Sequence, residues 1–161
     1  MTAVSRGRGL ARVAALWALG ALSAACDGTE SIVPEDWETS LVEIRDCRSA
    51  PYHNLEHVRL LVDEASIDMF ETCTADPDAC GEPFPEGALF VKPQYDDPDC
   101  TELVRISATR REHAASAPGE DGWRWQELDA SGSVTQDGQP ASCVNCHDQC
   151  AGYDTRCAMD P

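Results

Sequence analysis

The sequence predicts a single small domain that is mainly antiparallel β, an α+β chain with its helical element near the N-terminus. Two observations carry this. Short segments that alternate apolar and polar residues, such as L-V-R-I-S-A-T-R-R (103–111), recur between stretches rich in Gly, Pro and Asp. Cysteine is also abundant, with nine in 161 residues. That content suits a core too small to stabilise itself without covalent braces. No internal repeat is visible.

Residues 1–25 stand apart from the fold. Arg6, Arg8 and Arg12 precede a short apolar run, Val13 to Ala21, and small residues lead to Cys26. This is the architecture of a signal peptide, and the run is too short to span a bilayer. L-S-A-A-C resembles a bacterial lipobox, although Leu22 lies four residues before the cysteine instead of three. It predicts export to the bacterial cell envelope or periplasm with membrane attachment through a lipidated Cys26; a secreted chain cleaved nearby is the alternative. Residues 26–36 then read as a tether, and 37–161 as the domain.

Within the domain, Trp37, Leu41 and Ile44 have helical spacing, which predicts a short helix over 37–45. L-E-H-V-R-L-L-V (55–62) predicts a strand. Asp63 is placed to cap a following helix, 63–73, whose Ile67 and Phe70 share a face. Thr74 to Glu86 reads as a loop with Cys73 and Cys80 at its margins, pinned by a disulfide. G-A-L-F-V-K-P-Q-Y (87–95) predicts a strand ending near Pro93, since proline cannot donate to a ladder. Strands follow at 103–111 and 123–128.

Charge excludes some partners. The chain carries 12 basic and 29 acidic residues. Loss of residues 1–25 removes three arginines and no acid, leaving nine basic residues and a net charge of −20. Such a surface repels nucleic acid and anionic lipid. A basic protein partner or a cationic small substrate is compatible with it.

The chemistry concentrates at the C-terminus, in A-S-C-V-N-C-H-D-Q-C-A-G-Y-D-T-R-C (141–157). Cys143-Val-Asn-Cys146-His147 is the C-x-x-C-H pattern of c-type haem attachment. Two thiols separated by two residues reach the two vinyl groups on one edge of a porphyrin, and the adjacent histidine swings beneath the iron. A redox C-x-x-C disulfide is one alternative, but it usually opens a helix after a strand in a βαβ unit, and none appears here. A zinc site from Cys143, Cys146, His147 and Cys150 or Cys157 is the other, and an exported, disulfide-forming chain is a poor place for it. The haem reading is favoured, with haem c as cofactor and His147 as iron ligand. If Cys26 carries lipid and Cys143 and Cys146 carry haem, six cysteines remain, namely 47, 73, 80, 100, 150 and 157. Six close into three disulfides, with the pairing left open. Met159 and Met69 are poorly placed as a sixth ligand, which predicts an open distal face.

The ordered set P-E-G-A-L-F-V-K-P-Q-Y, an alternating strand, D-G-W-R-W, a short hairpin and C-V-N-C-H resembles the cytochrome P-460 family, over about residues 52–154. The resemblance implies a mainly antiparallel β (α+β) single domain with an N-terminal helical element and a C-terminal haem-c attachment motif, often a homodimer. It implies oxidation of a small nitrogen compound such as hydroxylamine, with electrons passed to a redox acceptor protein, or binding of nitric oxide as in the related cytochromes c′-beta. It also implies a covalent bond between the haem macrocycle and a lysine, which the G-x-x-x-V-K motif places at Lys92. A third bond of that kind would alter the ring's electronics. Arg59 matches the place of the distal arginine found in some members. Catalytic members also carry a distal carboxylate, for which Asp137 is a weak candidate, a hairpin-turn aspartate in its simpler reading. The six extra cysteines are not hallmarks of the family.

Overall fold

The computed structural model describes residues 29–50, 57–76, 83–113 and 122–147. Six strands follow one another as neighbours in one antiparallel sheet: β1 (Val42–Ser49), β2 (His57–Val62), β3 (Leu89–Tyr95), β4 (Leu103–Arg111), β5 (Trp123–Asp129) and β6 (Val134–Gly138). Three helices accompany them: α1 (Trp37–Ser40), α2 (Ile67–Ala75) and α3 (Ala141–His147). The protein is therefore mainly β, with strand order equal to chain order.

Alternation along each strand divides the side chains between two faces. One face carries Leu61, Leu89, Val91, Ile106, Ala108 and Leu128, and the N-terminal residues Ile32, Val33 and Trp37 cover it. We call this the strap face. The other carries Leu60, Val62, Phe90, Trp123 and Trp125, with Phe70 of α2, Phe84, and Cys143 and Val144 of α3 packed over it. We call this the motif face. Phe84, Phe90 and Trp123 meet edge to face on it, with centroids 5.1 to 6.2 Å apart, a favourable arrangement of ring quadrupoles.

Several expectations needed correction. The helix expected over 37–45 stops at Ser40, and the chain from Val42 pairs with β2 instead. Register shifts between Glu43 and Arg45 and between Arg45 and Arg48 mark β-bulges. A bulge breaks period-2 alternation, which is why this strand carried no clear signal. The expected tether contributes to the core from Ile32 onward, since Ile32 is 4% and Val33 7% exposed. Gln126 holds them there: its Oε1 accepts the Ile32 N–H at 2.8 Å and its Nε2 donates to the Glu30 carbonyl at 2.8 Å.

Strand β3 runs through Pro93 to Tyr95. Its pairing with β4 is continuous, whereas the β2–β3 ladder is interrupted between Val58↔Gln94 and Leu61↔Val91. The gap falls at Pro93, which has no N–H to give, and the register resumes unchanged beyond it. Asp63 precedes the helical stretch, which opens with a 3₁₀ turn at Glu64–Ser66, but its side chain makes no capping hydrogen bond there. Its carboxylate accepts from the Ser66 hydroxyl at 2.9 Å and from the Leu89 N–H at 2.6 Å, tying α2 to β3. Strand β6 forms the short hairpin with β5 that the resemblance implied; V-T-Q-D-G is polar and lies at the sheet edge, so it carried no signal of its own.

A disulfide joins Cys47 of β1 to Cys100 in the β3–β4 turn, across 53 residues. Cys73 is also disulfide-bonded. Residues 1–28, Cys80, Cys150, Cys157 and Met159, on which the leader, lipid-anchor, remaining disulfide and methionine expectations rest, lie outside the described residues.

Candidate functional site

The C-V-N-C-H motif lies in α3. Gly138 ends β6 and Pro140 starts the helix at once, its carbonyl accepting the N–H groups of Cys143 (2.9 Å) and Val144 (3.0 Å). Positions 143, 146 and 147 fall on one side of a helix by its period. Cys143 and Val144 pack against the aromatic cluster of the motif face. His147 ends the helix against Trp125, with ring centroids 4.7 Å apart and planes at 76°. Trp125 is 4% exposed.

Cross-strand pairing places Lys92 on the same face. Phe90, two residues earlier, pairs with Thr109, and Thr109 with Trp125. Lys92 pairs with Ser107, and Ser107 with Glu127. Lys92, Ser107 and Glu127 thus form a half-buried polar row beside the row that holds Trp125. Strand spacing puts Lys92 and Glu127 about 10 Å apart at the backbone. The next row along is also polar: Gln94, 1% exposed, donates to the Ser107 hydroxyl at 2.6 Å and accepts from Arg105 Nε at 3.0 Å. At the β1 end of this face, Arg45 stacks over Phe70 at 5.6 Å, and its Nε is buried with no hydrogen-bond partner among the described residues.

Arg59 is elsewhere. It lies on β2 one residue from Leu60 and so points to the strap face, where its Nε donates to Glu43 at 2.7 Å and a terminal nitrogen bonds the same oxygen. That contact, with a further hydrogen bond to Tyr95, raises the guanidinium above its ordinary pKa, and burial raises the Tyr95 hydroxyl. The structure therefore brings Lys92 and His147 to one face and leaves Arg59 on the other. Asp137 is likewise on the strap face, where Arg124 (2.8 Å) and Gln126 (3.0 Å) hold it. The Arg124 hydrogen bond keeps its carboxyl below the usual value, which suits an ion-pair anchor better than a base.

The residues of the motif face fit a c-type haem. The donor set is two cysteines and an imidazole on one short helix that packs on the aromatic face, with cations at Lys92 and Arg45 on that face. A buried guanidinium nitrogen in want of an acceptor suits a ligand that carries carboxylates. Sequence reasoning missed Trp125, Glu127 and Arg45. The W-R-W-Q-E spacing already implied that 123, 125 and 127 share a face; what it lacked was which face.

No known protein-family model matches the chain, and no curated protein matches it.

Proposed function

We propose that this chain is an exported c-type haem protein of the cytochrome P-460 type that carries out redox chemistry on a small nitrogen compound such as hydroxylamine. The observation that supports it is the seating of the C-V-N-C-H helix on the sheet face that also presents Lys92, with His147 held against Trp125. Cys143 and Cys146 take the two thioethers, and His147 binds the iron. Haem, when bound, would supply a redox-active iron able to take a small ligand.

The chain's own residues do the rest. Lys92 is the residue for a third bond to the macrocycle. The Glu127 carboxylate, in line with Lys92, is a group able to take a proton from a bound amine, and the Ser107 hydroxyl lies between the two. Arg59, paired with Glu43 on the strap face, has no place at the distal pocket in this reading. The acidic surface favours a basic acceptor protein for the electrons. Attachment through a lipidated Cys26 would hold the domain at the cell-envelope membrane. The second reading is a module that binds nitric oxide, or a carrier that only transfers electrons; it shares the same haem site and differs in turnover.

The test is expression in a host that matures c-type haem. Purified protein is assayed for covalent haem by its pyridine haemochrome and for hydroxylamine-dependent reduction of an acceptor. Covalent haem lost in Cys143→Ser and Cys146→Ser, with hydroxylamine turnover, supports the proposal. Haem without turnover, with a spectrum that responds to nitric oxide, selects the binding module. A spectrum indifferent to nitric oxide and carbon monoxide selects the carrier. Protein that carries zinc or a Cys143–Cys146 disulfide in place of haem overturns the reading. Mass spectrometry of haem peptides decides Lys92: a Lys92 peptide joined to haem, lost in Lys92→Ala with its spectral signature, supports the bond.

A further inference from the structure

We propose that Trp125 is a positioning residue for His147, setting the plane of the imidazole beneath the haem; this rests on the haem reading above. The contact is built by the topology. Trp125 pairs across the ladder with Gly138, the last residue of β6. Gly138 has φ +97° and ends the last strand, so the chain turns there, and Pro140 begins α3 immediately. A seven-residue helix started at that point is only about 10 Å long, and its last residue returns over Trp125.

The indole itself is fixed. It lies within a strand paired on both sides, is 4% exposed and packs in the cluster with Leu60, Val62 and Phe90. His147 is the terminal residue of a short helix and is half-buried against this indole. A near-perpendicular aromatic pair at 4.7 Å is attractive and resists rotation of the imidazole. Imidazole orientation and basicity are among the levers by which a protein tunes its haem iron.

Trp123 provides an internal control. It is equally buried, on the same face and strand, but meets Phe84, Phe90 and Arg111 instead of His147. The experiment compares haem-loaded wild type, Trp125→Phe, Trp125→Leu and Trp123→Phe by resonance Raman of the ferrous iron–histidine stretch and by the rate at which nitric oxide displaces the histidine. Trp125→Phe shifts and broadens the band, Trp125→Leu does so further, and Trp123→Phe leaves it in place. Histidine displacement is faster in Trp125→Leu by a factor of roughly two to ten, the range such an aromatic contact is worth. An unshifted band in Trp125→Phe overturns the proposal, and needs no variant with a large core defect. Equal shifts in Trp125→Phe and Trp123→Phe also overturn it, because they report a general loosening of the core. Wild-type protein without covalent haem is a separate outcome that removes the haem reading, and this proposal with it.

Discussion

Substitution of Arg59 separates the two faces of the sheet by experiment. Its guanidinium makes two hydrogen bonds to one Glu43 oxygen and a further bond to Tyr95, with side chains 28% and 35% exposed for the ion pair. The Coulomb attraction at such a distance is about 4 kcal/mol in a surface-like dielectric, but desolvation and the ordering of two long side chains offset most of it. Measured couplings for exposed pairs run from about 0.2 to 1 kcal/mol, and the doubled hydrogen bond puts this pair near the top of that range, about 1 kcal/mol. Arg59→Ala also removes the Tyr95 bond and the packing of its stem, so the single variant costs about 1–2 kcal/mol. The assay is a double-mutant cycle of Arg59→Ala and Glu43→Ala in urea, repeated at high salt, where the coupling should shrink. The same variants are loaded with haem and their spectra recorded. A coupling near zero would refute the ion-pair assignment. A change of more than about threefold in nitrogen-ligand affinity, or a shifted Soret band, would refute the placement of Arg59 away from the site.

Three further outcomes follow from the same structure. Replacing Cys47 and Cys100 together by serine opens a loop of 53 residues, worth up to about 4 kcal/mol by loop entropy, read as a lower urea midpoint; an unchanged midpoint would sink it. Gln126→Ala leaves the buried Ile32 N–H without its acceptor and costs about 1–3 kcal/mol, with faster amide exchange at Ile32, whereas the exposed Gln136→Ala is silent. Asp97, Asp129 and Asp137 accept from Glu102 and Thr101 N–H groups, from Ser131, and from Arg124, and each has its pKa lowered from the ordinary 3.8. Groups lowered on folding bind fewer protons than in the unfolded chain. Their contribution is therefore complete above about pH 5 and falls away as acid passes 3.8 toward their native values. Thermal melts from pH 6 down to 2.5 check this; a midpoint flat below pH 4 would contradict it.

Much of the sheet was legible from pattern. Leu103–Arg111 alternates cleanly because it is a regular strand with one apolar face, and its bounds were readable to the residue. β1 was not, since its two bulges shift the alternation, and β6 was not, since it is a polar edge. Pro93 misled for a sound local reason: proline does cost a ladder bond, and β3 absorbs that cost on its β2 side while pairing fully with β4. The C-x-x-C-H spacing was readable because it is a local pattern along one turn of chain.

By itself, the sequence determined the C-x-x-C-H spacing, the identity of most strands and a total of nine cysteines. Those are local properties, set by residue type and by periods of two and 3.6. Only the tertiary structure decided which residues meet. Lys92 and Arg59 are both cations on neighbouring strands, and the pairing of β2 with β3 sends one to the motif face and the other to the strap face. A one-residue change in the register of β2 against β3 would have put both on the same face. The meeting of His147 with Trp125 has the same origin: it follows from where β6 ends and α3 begins relative to β5, a relation between segments that no local period encodes.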